Sequence, residues 1–190
     1  ASYEGIPITA VTAQITDNDW AGFAVEATAE LSTSEAGGQA SFTIRLTSQP
    51  TAGVKVGLSS SDETEGTVTP ATLTFLPSAW DLPQTVTVTG MDDLLDDGDV
   101  DYTVVTAAAV SADVNFNGVA PANVSVTNRD DDTAGVAILR GGGQTLVREG
   151  LFPDTYSINL TSQPTAEVVL AVTPDSQLSV SPASLTFTAA

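Results

Sequence analysis

The 190 residues carry 24 Asp plus Glu against five basic side chains, a net charge of −19, which makes nucleic acid and anionic membrane poor partners. With 42% hydrophobic and only 15% charged residues, the chain has ample apolar material for a packed core. The absence of cysteine excludes disulfides, thiol catalysis and thiolate metal sites, and the lack of any apolar run of about 18 residues excludes a membrane helix.

The start Ala1-Ser2-Tyr3-Glu4-Gly5 lacks the basic and apolar regions of a signal peptide, and parts of residues 1–19 match a later stretch of the chain. Tyr3-Glu4-Gly5-Ile6-Pro7 resembles Phe116-Asn117-Gly118-Val119-Ala120, and Asp17-Asn18-Asp19-Trp20-Ala21-Gly22 resembles Asp130-Asp131-Asp132-Thr133-Ala134-Gly135. From Phe23 and Val25 onward, apolar residues alternate with Ser and Thr in short runs, the period-two signature of half-buried strands. These runs are Phe42/Ile44/Leu46, Val54/Val56/Leu58, Leu73/Phe75, Val86/Val88, Tyr102/Val104 and Val124/Val126. Gly, Pro and Asp clusters separate them, and no helical period is sustained.

Leu46-Thr-Ser-Gln-Pro-Thr-Ala52 then recurs without change as Leu160-Thr-Ser-Gln-Pro-Thr-Ala166. Val68-Thr-Pro-Ala-Thr-Leu-Thr-Phe75 returns as Val180-Ser-Pro-Ala-Ser-Leu-Thr-Phe187, and Ser34-Glu35 as Arg148-Glu149. The period of about 113 residues is the size of a domain rather than of a solenoid turn. It predicts three segments: 1–19 as the tail of one repeat, 20–132 as a complete repeat, and 133–190 as the first half of the next. The expected fold is all-β, tandem immunoglobulin-like antiparallel β-sandwiches with about seven strands per repeat. A half repeat would expose an open edge, to be completed by more chain or by another subunit.

The acidic residues are clustered. Met91-Asp-Asp-Leu-Leu-Asp-Asp-Gly-Asp-Val-Asp101 places six aspartates between two strands, and Asp130-Asp131-Asp132 follows the last strand of the complete repeat. Two unit charges about 6 Å apart repel by about 3 kcal/mol at an effective dielectric of about 20, so carboxylates facing one point call for a cation or a proton. Oxygen ligands without His or Cys select a hard ion, and many flexible carboxylates favour Ca²⁺ over Mg²⁺.

In this order, Ser34-Glu35-Ala36-Gly37, Ser61-Asp62-Glu63, Leu73-Thr-Phe75, Gln84-Thr-Val-Thr-Val-Thr-Gly90 with its acidic loop, and the terminal Asp triplet resemble the Calx-beta domain. The likeness is greater to the Calx-beta-like repeats of very large bacterial surface proteins, and it spans the whole period. It implies calcium held at one end of the sandwich by Glu35, Asp62, Asp92, Asp93, Asp96 or Asp97, and Asp130, Asp131 and Asp132. In the following segment Glu149 and Asp175 would take the places of Glu35 and Asp62. Gly98 interrupts the acidic run, and Asn18 stands where the later junction has Asp131.

Asp113-Val-Asn-Phe-Asn-Gly118 opens like an EF-hand loop, but the twelfth position is Val124 and no flanking helices are predicted, so it reads as a turn with Phe116 closing the core. Trp20 and Trp80 are candidate sugar-stacking platforms, for which core or junction packing is the plainer role. Asn123-Val-Ser125 and Asn159-Leu-Thr161 fit the glycosylation pattern but fall in predicted strands. Catalysis is not expected: there is no His or Cys, and the single lysine, Lys55, lies in an alternating strand. The sequence therefore predicts a calcium-rigidified structural array for extension, adhesion or filament formation at a cell surface, with neighbouring repeats or identical subunits end to end as its partners. Two alternatives are a module that recognises a glycan or a protein, with calcium supporting the fold, and a calcium sensor.

Overall fold

Strands with one apolar and one Ser/Thr face can hide their apolar sides only by stacking two sheets face to face. That is the arrangement in a computed structural model of the chain, which describes residues 4–5, 7, 10–27, 30–150 and 152–189. The first ten strands are β1 (Phe23–Glu26), β2 (Leu31–Ser34), β3 (Gln39–Leu46), β4 (Val54–Ser60), β5 (Gly66–Thr69), β6 (Thr72–Phe75), β7 (Gln84–Gly90), β8 (Val100–Thr106), β9 (Val110–Ser111) and β10 (Val124–Arg129). One sheet has the order β1-β3-β7-β5, and the other β2-β10-β8-β4-β6, with β9 also beside β4.

The two sheets close on Phe42, Ile44, Val86 and Val88 from one side and Val54, Val56, Phe75, Val104 and Val126 from the other, all essentially inaccessible to water. Each such side chain contributes about 1.5–3 kcal/mol by leaving solvent. Every alternating run read from the sequence between Phe23 and Val126 is a strand. Three short strands, β2, β5 and β9, are additional. The β2–β10 pair is parallel, with Leu31 opposite Val126 and Ser34 opposite Arg129, so the expected purely antiparallel sandwich is corrected at this edge. The reason is that β2 enters from a crossover out of the opposite sheet, not from a hairpin.

One end of the sandwich is closed by aromatic packing. Phe116 is buried, and Phe23 meets both Phe75 and Phe116 edge-on, with ring centroids 6.2 and 6.3 Å apart. The Asp113–Gly118 stretch is a turn: Asp113 Oδ1 accepts from the Asn115 amide and Oδ2 from the Thr51 amide, and Gly118 adopts φ +87°. The packing role expected of Tyr3 lies outside the described residues. Trp80 packs against the core, whereas Trp20 is 83% exposed, contrary to the packing expected of it; only its backbone is held, its carbonyl accepting from Thr47 Oγ1. Lys55 faces solvent from β4.

Beyond Asp132 lie β11 (Val136–Arg140), a 3-10 turn at Gly141–Gly143, β12 (Tyr156–Leu160), β13 (Val168–Ala171) and β14 (Ser184–Phe187). Their pairings reproduce earlier ones. Val136 sits opposite Leu160 as Phe23 sits opposite Leu46, and Val168 opposite Phe187 as Val54 opposite Phe75. The Thr161 hydroxyl donates to the Thr133 carbonyl as the Thr47 hydroxyl donates to Trp20. None of the described residues after Asn128 is buried.

Candidate metal centre

At the end opposite Phe116, β7 passes unusually close to its neighbours. A Cβ on Gly90 would stand 2.3 Å from the Ser34 carbonyl oxygen and 2.5 Å from Asn128 Oδ1, so only glycine lets the chain leave β7 at this point. The acidic loop thus starts between the ends of β2 and β10. A buried polar ladder supports it. Thr33 Oγ1 donates to Asn128 Oδ1 at 2.9 Å, which leaves the Tyr102 hydroxyl to donate to Thr33 at 3.2 Å. Asn128 Nδ2 donates onward to the Met91 carbonyl at 3.0 Å and to Glu65 Oε2 at 3.3 Å. Burial pushes the Tyr102 phenol up, so it stays a donor at neutral pH.

Glu35 follows β2 directly and is only 3% exposed. Its amide donates to the Arg129 carbonyl at 3.0 Å, and its Oε2 accepts from the Asp131 amide at 3.3 Å. The parallel β2–β10 pairing therefore brings Glu35 to the Asp triplet. Glu35, Asp130 and Asp132 offer carboxylate oxygens all within 4.8 Å of one another. Glu65, Asp93 and Asp97 form a second such group, also within 4.8 Å.

The electrostatics show the crowding. Burial, reinforced by Asp130, Asp93 and Asp97, pushes the Glu35 carboxyl up to about 7, although the Asp131 amide opposes the shift. Asp132 is also pushed up, by burial first and then by Asp130, Asp131, Asp92 and Asp93. Its Oδ2 is buried with no hydrogen-bond partner. Asp130 is held below the ordinary carboxylate range because the Asp132 and Gly98 amides donate to it, at 2.8 and 2.7 Å. Gly98, with φ +81°, is thus a working part of the loop: its turn aims an amide at Asp130. Among the described residues the one ion pair, Arg45–Glu26 at 3.3 Å, lies on β1 and β3, away from these carboxylates.

Of the residues expected from the sequence, Glu35, Asp93, Asp97, Asp130 and Asp132 fall within the two groups. Asp92 and Asp131 lie close enough to act on Asp132. Asp62 and Asp96 are engaged elsewhere. The Asp62 carboxylate is exposed and accepts from the amide and hydroxyl of Thr64, at 3.0 and 2.5 Å, closing its own turn. Asp96 Oδ2 accepts from the Ala134 amide at 2.7 Å, in the stretch leading to β11. Glu65, which the sequence reading left out, stands in the position expected of Asp62. The turn from Asp62 to Gly66, closed by the Gly66 amide on the Asp62 carbonyl at 3.2 Å, points Glu65 inward. A Cβ on Gly66 would collide with the Tyr102 hydroxyl, so the chain at Glu65 is drawn against the core, a placement that the sequence pattern does not encode.

An all-oxygen donor set that includes a residue with a buried, unpartnered carboxylate oxygen is suited to a hard divalent cation. No protein-family model matches the chain, and no curated protein matches its sequence. Solved structures similar to it include WR4, a C. elegans MSP family member, at 11% identity over 56% of this chain and 95% of that one, with a TM-score of 0.39. The YadV chaperone shares 10% identity over 74% and 84%, with a TM-score of 0.43. The CsuC–CsuE chaperone–tip adhesion subunit pre-assembly complex of Acinetobacter baumannii Csu pili shares 8% over 88% and 83%, also with a TM-score of 0.43. Likeness this loose carries no argument about family or activity.

Proposed function

We propose that the chain is a non-catalytic segment of a tandem array of immunoglobulin-like, Calx-beta-like sandwiches, made rigid by Ca²⁺ and serving extension, adhesion or filament formation at a cell surface. Glu35, Asp130 and Asp132 would hold one ion position and Glu65, Asp93 and Asp97 a second, with Asp92 and Asp131 beside them. The observation that carries this reading is the buried Asp132 Oδ2, left without a partner beside carboxylates that raise the proton affinity of Asp132. A cation supplies what no amide or base provides there.

The mechanical role follows from where the loop reaches. The Leu94 carbonyl accepts from the Gln163 amide at 2.6 Å, and Asp96 holds the Ala134 amide, so the acidic loop touches both the linker after Asp132 and the repeated Thr-Ser-Gln-Pro motif beyond it. An ion that fixes the loop fixes the junction, and without it carboxylate repulsion loosens both. Millimolar extracellular calcium suits a site of this type.

The test is melting temperature, small-angle scattering and limited proteolysis in calcium and in chelator. Calcium is expected to raise the melting temperature, lengthen the particle and protect the 91–99 and 130–135 stretches from cleavage. Curves that coincide in the two conditions would defeat the proposal. A second reading, recognition of a glycan or protein, is favoured by the exposed indole of Trp20. Glycan-array binding that disappears in Trp20→Ala, with the melting curve unchanged, would select it.

A further inference from the structure

The chain holds two dipeptides in which glycine follows an aspartate or an asparagine, Asp97-Gly98 in the acidic loop and Asn117-Gly118 at the Phe116 end. In each, the glycine nitrogen can reach the preceding side-chain carbonyl carbon, and joining the two closes a five-membered cyclic imide. Glycine favours the step because no Cβ crowds the attacking nitrogen. By sequence alone Asn117 is the more reactive of the two, since ammonia leaves a carboxamide more readily than water leaves a carboxylate. The structure reverses that order.

Asn117 is tied at both reacting groups. Its Oδ1 accepts from the Ser111 amide at 3.2 Å, and the Gly118 amide donates to the Ala109 carbonyl at 2.8 Å, an oxygen that cannot take the proton away. Phe116, buried beside them, holds the turn against the core. Asp97 is placed differently. It and Gly98 are exposed and belong to no ladder, and the space around Gly98 is open. Its neighbours in the loop spend their carboxylates on amides, Asp93 on that of Leu95 and Asp96 on that of Ala134, each at 2.7 Å. Among the described residues no donor holds the Asp97 carboxylate in this way, so it can turn towards the Gly98 nitrogen. The Gly98 amide, for its part, points at a base: it donates to Asp130 Oδ2 at 2.7 Å.

We infer that Asp97 is a site of spontaneous covalent modification, converting to isoaspartate through a cyclic imide with Asp130 as the proton acceptor. The Gly98 amide proton passes to Asp130 Oδ2 as the nitrogen bonds to Asp97 Cγ. The Cγ–O bond of the carboxyl group then breaks, and its hydroxyl leaves as water with the proton that Asp130 received. A water molecule reopens the ring at either carbonyl, which returns aspartate or gives isoaspartate. No oxidant, enzyme or cofactor enters the balance. In isoaspartate the main chain runs through the former side chain, one carbon longer, and the carboxylate stands one carbon nearer to it. The change draws Asp97 away from Glu65 and Asp93 and the Gly98 amide away from Asp130. The junction that this loop touches would thus loosen with the age of the molecule, and a bound ion would delay it by holding the Asp97 carboxylate. Those two consequences rest on the calcium reading above; the chemistry at Asp97 does not.

The test is prolonged warm incubation of the full chain at neutral pH, in calcium and in chelator, followed by proteolysis and mass spectrometry with fragmentation that separates the two isomers. In chelator, isoaspartate is expected to accumulate at position 97, preceded by a species lighter by one water, while Asn117 keeps its ammonia. Asp97→Glu would need a six-membered ring and is expected to lose the product altogether. Asp130→Asn can still accept the hydrogen bond but not the proton, and is expected to slow the product by about tenfold or more. Both positions lie outside the buried core, so a retained cooperative melting transition verifies folding. Absence of isoaspartate at 97 in chelator, modification of Asn117 ahead of Asp97, or an Asp130→Asn rate equal to or above that of the wild type overturns the inference. Failure of the calcium reading shows separately, as isoaspartate that accumulates at 97 equally fast with and without calcium.

Discussion

The two ends of the sandwich use the same side chain for opposite ends. At one, the buried Asp113 carboxylate spends both oxygens on backbone amides, and Phe116 fills the space behind it. At the other, Asp132 has an oxygen hidden from water with nothing to accept from, among neighbours of the same sign. An aspartate that finishes a turn needs no ion. One whose surroundings are built from other carboxylates calls for a cation or a proton, and burial alone does not separate the two cases.

This contrast is most severely tested at the aromatic end. Phe116→Ala removes a buried ring and should cost about 3–5 kcal/mol, lowering the melting temperature by about 10–20 °C to the same extent in calcium and in chelator. A loss that calcium restores would mean that the ends are not independent. Next in size is the acidic end itself. Asp132→Asn and Glu35→Gln should each weaken calcium binding by about tenfold or more in isothermal titration, yet raise the melting temperature in chelator, because each removes a crowded charge.

The ends should also respond to acid with opposite signs. Without metal, Glu35 has its carboxyl raised from 4.5 to about 7, so folding takes up a proton: its stabilising contribution is complete below about 4.5 and fades as pH rises towards 7. Asp113 is held below its ordinary 3.8 by the Thr51 and Asn115 amides, so its contribution is present above that value and is lost as pH falls below it. Chelated protein should therefore melt highest in mildly acidic buffer, and Glu35→Gln should flatten the neutral side of the curve only. Calcium should reverse that side, since protons compete with the ion. The smallest effect is expected from Asp62→Asn, with calcium affinity unchanged within about twofold by titration, whereas Glu65→Gln should weaken it markedly.

What could be read in the sequence follows from the same physics. Strands β1, β3, β4, β6, β7, β8 and β10 announce themselves because Val, Ile, Leu and Phe alternate with Ser and Thr. In contrast, β2 buries Leu31 beside Thr33 and β10 buries Asn128 beside Val126, and a buried polar residue at an inward position reads as a break in the pattern. The polar ladder of Tyr102, Thr33 and Asn128 was invisible for that reason. The acidic loop and the Asp triplet were legible as charge without bases. Which of Asp62, Glu63 and Glu65 faces the centre was not, because it depends on a turn closed by Gly66 and on the close passage of that glycine past Tyr102. The roles of Asp96 and Leu94 lay in contacts with the stretch beyond Asp132, which local pattern does not encode.

The Glu35–Asp131 contact bridges 96 positions of sequence, and its neighbour, Thr33 to Asn128, bridges 95. Loop closure over such a distance comes late in folding, after the local hairpins have formed. A chain emerging amino end first has the Glu65, Asp93 and Asp97 group out by Asp97, but the Glu35, Asp130 and Asp132 group is complete only once Asp132 is out. On the proposed calcium reading, an ion held by Glu35, Asp130 and Asp132 would report that the sandwich between them has been threaded and assembled, and would act as a latch on a finished unit rather than a nucleus for an unfinished one.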